Sequence, residues 1–137
     1  MISGYRLERR RYKRLRLTLS VMYWIESPAY VKRILQSRIY EGRTVDLSEG
    51  GVALAVNHYL PLRTKLCLRF VLIEASSTGD AHFYNTLEIA GEVRSTVTSV
   101  HHEYRLGVCF EGLSFEKRRR INDILFSSLR PESVGIG

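Results

Sequence analysis

From Leu15 to Tyr23 the apolar side chains fall on every second residue: Leu15, Leu17, Leu19, Val21 and Tyr23 share one face, while Arg16, Thr18, Ser20 and Met22 share the other. Period two is the spacing of a strand with one buried face, and a helix does not present it. The pattern recurs along the chain. Arg38 to Leu47 reads as a second strand, and in Gly51 to Val56 the residues Val52, Leu54 and Val56 alternate with small Ala53 and Ala55. Lys65 to Glu74 sets Leu66, Leu68, Phe70 and Leu72 together, and Thr86 to Val100 is a β-branched run in which Gly91 marks a bend or bulge. Glu103 to Phe110 completes the strands.

Only the last segment changes period. Ile121, Ile124, Leu125 and Leu129 recur at helical spacing, Ser114 suits the N-cap, Glu116 favours the positive end of the dipole and Pro131 marks the exit. These signals predict a helix from Phe115 to Leu129. Six strands and one terminal helix predict a mainly β fold, a small six-stranded antiparallel β-barrel with a C-terminal α-helix packed against it. Ser27-Pro28 breaks the first strand, and Glu26 to Ser37 is expected as a loop: Val31, Ile34 and Leu35 would line one side of a single helical turn, too short to hold alone. Ala75 to Asn85 is expected as a mobile loop or wide hairpin.

At 137 residues the chain is one domain, long enough to bury a core without disulfides or metals. Cys67 and Cys109 lie inside strand patterns and are expected as buried free thiols, with no spacing for a redox or metal pair. Adjacent His101 and His102 point opposite ways in an extended segment and lack a third ligand, which predicts a loop and no metal. No apolar run approaches the roughly 18 residues that cross a bilayer, and no signal-peptide core follows the charged N-terminus, so a cytoplasmic protein is expected.

The net charge of +7 favours an anionic partner. Its placement says more than its sum, for the excess lies in Arg6 to Arg16 and in Lys117 to Arg120, the latter expected as the wet face of the helix. An RNA- or single-strand-binding barrel would need aromatic faces interleaved with cations. Tyr12, Tyr40, Tyr59 and Tyr104 show no such interleaving, which argues against specific nucleic-acid binding.

Two stretches carry chemistry. Asp46-Leu47-Ser48-Glu49-Gly50-Gly51 lies between two apolar runs and offers a carboxylate acceptor, a hydroxyl and a backbone open to close approach, a set that suits the N–H edge of guanine. Arg9-Arg10-Arg11-Tyr12-Lys13-Arg14 offers guanidinium forks for phosphate and planar faces for bases. Alone, the first is most often a turn that satisfies its own backbone and the second a solvated arm.

Together, Arg10-x-x-x-Arg14 before the first strand and Asp46-x-Ser48-x-x-Gly51 between the second and third resemble the PilZ domain, a bacterial receptor module for the second messenger cyclic di-GMP. The resemblance implies a flexible N-terminal tail over 1–8, a PilZ-like domain over 9–130 and a C-terminal tail over 131–137. It implies cyclic di-GMP as ligand, with Arg10 and Arg14 on phosphate and guanine, Asp46 and Ser48 on a guanine edge, and Gly51 allowing close approach. Arg9 and Arg11 flank the pair, and Arg9 would permit a stacked ligand pair; Arg94, on a facing strand, is a further candidate contact. Signalling would follow from ordering of the arm, seen by a downstream protein partner. No cofactor is expected, and no enzyme: Ser48 lacks a positioned histidine base, and neither paired carboxylates nor a Gly-Lys-Ser/Thr phosphate loop occurs. Relatives that bind a protein without nucleotide keep the barrel and lack the motifs, whereas this chain has both.

Overall fold

The computed structural model describes residues 15–16, 19–75 and 82–128. In chain order these form β1 (Leu15–Arg16), β2 (Ser20–Ser27), α1 (Ala29–Ile34), β3 (Tyr40–Leu47), β4 (Gly51–Val56), β5 (Lys65–Ala75), β6 (His82–Thr98), a 3-10 turn at Val100–His102, β7 (Tyr104–Glu111) and α2 (Phe115–Ser128). All pairings are antiparallel, in the order β3-β2-β5-β6-β7-β4, and β4 pairs back onto β3 to close the ring. β1 continues the line of β2 along the same edge of β3, meeting Leu47 and Asp46 where β2 meets Tyr40 to Arg43. The barrel therefore has six staves, one of them interrupted. Leu19 bridges the gap: its N–H donates to the Thr44 hydroxyl at 2.7 Å and its carbonyl accepts from Thr44 N at 2.9 Å.

Alternation decides what is inside. Val21, Tyr23 and Ile25 of β2, Leu66, Leu68 and Phe70 of β5, and Leu106, Val108 and Phe110 of β7 fill the interior, joined by Leu60 from the 57–64 connection and Ile121 from α2. Each such side chain contributes about 1.5–3 kcal/mol relative to exposure. Parity also corrects the expectation for the thiols. Since Leu66 and Leu68 point inward, Cys67 between them points outward, and Cys109 does likewise between Val108 and Phe110; both are free and half-exposed.

The 26–37 region is more ordered than a loop. The Ser27–Pro28 peptide is cis, α1 buries Val31 against the barrel with Leu35 beside it, and Tyr40 Oη caps the helix end by donating to Leu35 O at 2.7 Å. Tertiary packing supplies what six residues lack by themselves. The expected bulge near Gly91 falls instead between Val93 and Ser95, and β5 and β6 extend to Ala75 and His82, beyond the expected loop edges. α2 begins as expected, with Lys117 N donating to the Ser114 hydroxyl at 3.1 Å. It is described as far as Ser128; Leu129, Pro131 and the C-terminal tail lie outside the described residues. His101 and His102 both take positive φ in their turn.

The antiparallel order sorts the connections between two ends. The Leu47 to Gly51 corner, the close of β7 and the start of α2 share one end; α1, the 57–64 connection and Val100–His102 share the other, where the Tyr40 and His58 rings lie 4.4 Å apart.

Within the core, the Tyr23 hydroxyl is buried and has no hydrogen-bond partner among the described residues. Burial, and then neighbouring Tyr40, push its phenol well above the usual range. A raised pKa means the folded state favours the neutral phenol, so this contribution is full below the unfolded pKa of about 10 and is lost as pH rises beyond it. Tyr23→Phe is expected to leave the melting temperature unchanged or raised at pH 7, because an unpaired buried polar group costs about 1–3 kcal/mol. In alkaline melts the variant should also lose less stability than the parent.

Candidate functional site

The corner between β3 and β4 is built by its own short side chains. Ser48 N donates to Gly51 O at 2.9 Å, and the Ser48 hydroxyl donates to Gly51 O and accepts from Gly50 N, each at 3.3 Å. Phe110 N donates to Gly50 O at 3.0 Å, and Asn122 Nδ2 of α2 donates to Glu49 Oε2 at 2.7 Å. The corner is thus tied to β7 and to the helix. One acceptor lone pair of Ser48 stays available.

Two bulges shape this face: one turns Asp46 outward, and the other sets Ser95 outward beside Arg94. In β3, Thr44 pairs with Leu54 and Asp46 with Ala53, so Val45 is supernumerary. Without it Asp46 would share the inner face with buried Thr44; one extra residue turns its carboxylate outward, opposite Ala53. In β6, Val93 pairs with Val108 and Ser95 with Gly107, which leaves Arg94 on the bulge. The register then runs across four strands as Asp46, Ala53, Gly107 and Ser95. The neighbouring outward positions are Gly51, Cys109 and Glu92.

This row makes a floor nearly free of side chains. A cavity of about 260 Å³ opens over it, lined by Asp46, Ser48, Gly51, Ala53, Arg94 and Gly107, with Cys109 at its edge. Glycine is required at Gly51, where a Cβ would strike the Val108 backbone carbonyl oxygen, whereas a Cβ on Gly107 would meet only the Ser95 hydroxyl, which would have to rotate away. Arg94 stands at the rim and is held by its neighbour: Nε donates to Glu92 Oε1 at 2.6 Å. That bond is the main reason the Glu92 carboxyl lies below its usual range and the Arg94 guanidinium above its own. Glu92 also faces Lys65 at 3.6 Å, and Lys65 is held more closely by Glu111 at 2.7 Å.

The structure therefore brings together Asp46, Ser48, Gly51 and Arg94. Arg9, Arg10, Arg11 and Arg14 lie outside the described residues. The strand that follows them is described: Leu15, next after Arg14, pairs with Leu47, and Arg16 pairs with Asp46. Sequence reasoning did not assign Glu92, Ala53, Gly107 or Cys109 to the site. The glycine breaking the apolar run Leu106 to Phe110 was the available signal, but its partner Ala53 is 54 positions away and the register alone joins them. A larger cavity of about 550 Å³ opens at the other barrel end beside Tyr40, Gly42, Arg43 and Glu103, and Asp46, Ser48, Gly51 and Arg94 do not line it.

The PilZ domain family profile matches residues 8–127. The chain belongs to the PilZ family. Among solved structures this PilZ domain is similar to the Bacillus subtilis inhibitor of motility MotI/DgrA, at TM-score 0.62 and 14% identity over 89% of this chain and 54% of that one. It is similar to the K. pneumonia MrkH–c-di-GMP complex, at TM-score 0.61 and 20% identity over 91% and 54%. It is also similar to the PilZ domain of Escherichia coli YcgR with c-di-GMP, at 0.57 and 18% over 93% and 99%. The chain thus spans about half the length of MotI and MrkH. No curated protein matches its sequence.

The floor geometry sets a mutational expectation for this PilZ domain. Gly51→Ala forces β4 away from Val108 and is expected to destabilise the fold by about 1–3 kcal/mol, the usual cost of overpacking. Urea unfolding would read this as a lower midpoint; an unchanged midpoint would mean the strands do not approach so closely.

Proposed function

We propose that this PilZ domain is a non-enzymatic, cytoplasmic receptor for cyclic di-GMP. The observation that carries the reading is the pairing of β1. Leu15 and Arg16 lie against Leu47 and Asp46, so the Arg10-x-x-x-Arg14 stretch ends one residue before a strand fixed at the rim of the floor. The solved relatives MrkH and YcgR, each recorded with c-di-GMP, support the choice of ligand.

The chemistry fits in parts. A guanine lies flat where Gly51, Ala53 and Gly107 offer no obstruction, and its N1–H and exocyclic amine donate to the Asp46 carboxylate and the spare lone pair of Ser48. Arg10 and Arg14 close from the other side on the phosphodiesters by charge-assisted, two-pronged hydrogen bonds. At about 260 Å³ the floor cavity is smaller than the roughly 300–1,000 Å³ usual for a ligand site, so the arm must form the remaining wall. Ordering that arm over the nucleotide changes the surface that a downstream protein meets, a common switching mode. Arg9 and Arg11 flank the pair in sequence, and Arg9 would permit a second, stacked nucleotide.

Calorimetric titration with cyclic di-GMP should give saturable heat and a stoichiometry of one or two. Arg14→Ala should lower affinity by roughly ten- to a hundredfold, the worth of one or two hydrogen bonds to charge. Unchanged heats in that variant would contradict the site. Arg94 must trade Glu92 for a phosphate, so Glu92→Gln is expected to tighten binding about two- to fivefold, in line with an exposed ion pair. A weaker Glu92→Gln complex would show instead that the carboxylate positions Arg94 for the ligand.

A further inference from the structure

The barrel end opposite the glycine corner presents apolar side chains to solvent. Tyr30 and Ile34 share one face of α1 at helical spacing, and with Ile39 they are 51%, 70% and 58% exposed. The helix cannot turn to hide them, because Val31 and Leu35 anchor its other side in the core and Tyr40 holds its end. Tyr59 and Leu62, on the 57–64 connection at the same end, are exposed as well.

Cations dominate the α1 segment. From Pro28 to Tyr40 the chain carries Lys32, Arg33 and Arg38 and no acid. All three cations are exposed, and none forms an ion pair among the described residues. Of the acids nearby, Glu103 is bound through both oxygens by Arg43, while Glu41 and Glu26 keep their charge and accept from neutral donors, the Ser20 hydroxyl and Trp24 Nε1 at 2.9 Å, so the three cations outnumber the two unpaired carboxylates. A cavity of about 350 Å³ joins Trp24 to Lys32 and Ile39, which sets an indole beside the patch.

Protruding apolar tips, a half-exposed indole and free cations match an anionic bilayer. A folded protein partner would need a groove shaped to receive those tips, whereas a lipid interface requires only that they reach headgroup depth. Among the described residues no helix is long and apolar enough to span a membrane, so contact of this kind is peripheral. We propose that the α1 end of the barrel docks on anionic lipid through Tyr30, Ile34 and Ile39, with Lys32, Arg33 and Arg38 on the headgroups. Docking there leaves the Asp46 corner facing away from the membrane, because the two lie at opposite ends of β3.

The test is co-sedimentation of the full chain, without nucleotide, with phosphatidylcholine vesicles containing about one third phosphatidylglycerol and with phosphatidylcholine alone. The wild type should sediment with the anionic vesicles only, and less so at high salt. The Ile34→Glu, Ile39→Glu pair should abolish retention. Neutralising Lys32, Arg33 and Arg38 should weaken it on the order of a hundredfold. Phe126→Glu, an exposed change on α2, should leave it intact, and circular dichroism should show all variants folded. Equal binding to both vesicle types, no binding, or retention that survives the isoleucine changes would overturn the proposal. So would loss only when Arg9, Arg10, Arg11 and Arg14 are neutralised, which would assign the effect to the arm.

Discussion

The return of β4 onto β3 gives every side chain of this domain a fixed side. In an open sheet a strand can slip by one residue and exchange its faces; in a closed ring the slip would carry a whole stave of Leu, Val and Phe into water. With six staves locked in this way, a change of side is possible only where a residue is inserted. The two insertions flanking the floor, at Val45 and Arg94, are therefore what turn a structural barrel wall into a surface with chemistry. The floor itself comes from the opposite device, the absence of side chains at Gly51 and Gly107 where the strands crowd.

Much of this was legible from spacing. Period-two runs located the strands of the ring, and the helical period after Ser114 located α2 together with its cap. The Asp46-x-Ser48-x-x-Gly51 stretch marked the corner, because glycines and short polar side chains between apolar runs have few other uses. The rest depended on pairs distant in sequence. Strict alternation along β3 would have set Asp46 on the same face as Thr44, and only the partner strand reveals the extra residue. The thiols were misplaced by a similar omission: apolar neighbours on a strand imply an outward residue between them, not a buried one. The helical turn at α1 was too short to hold by its own length, and its stability comes from Val31, Leu35 and the Tyr40 hydroxyl instead. The arginines of the N-terminal arm are legible only as a motif joined to a strand whose register is known.

The fold also separates two kinds of surface along its axis. β3 carries Asp46 at one end and opens from α1 at the other, so the eight residues of a single strand connect the polar floor with the apolar, cationic face. Solved structures of 14–20% identity share this fold, so the barrel does not depend on most of its particular residues.

The bond from Asn122 to Glu49 spans 73 positions. During synthesis the hairpin that bears the acidic turn leaves the ribosome long before the helix that fastens it, and β7, which grips Gly50, is made almost as late. A nascent chain can therefore pair its early strands while the turn still lacks both fastenings. The glycine corner is among the last parts of the domain to set, and a chain cut short before its final helix would keep its six staves and the Phe110 bond yet lose the tie from Asn122.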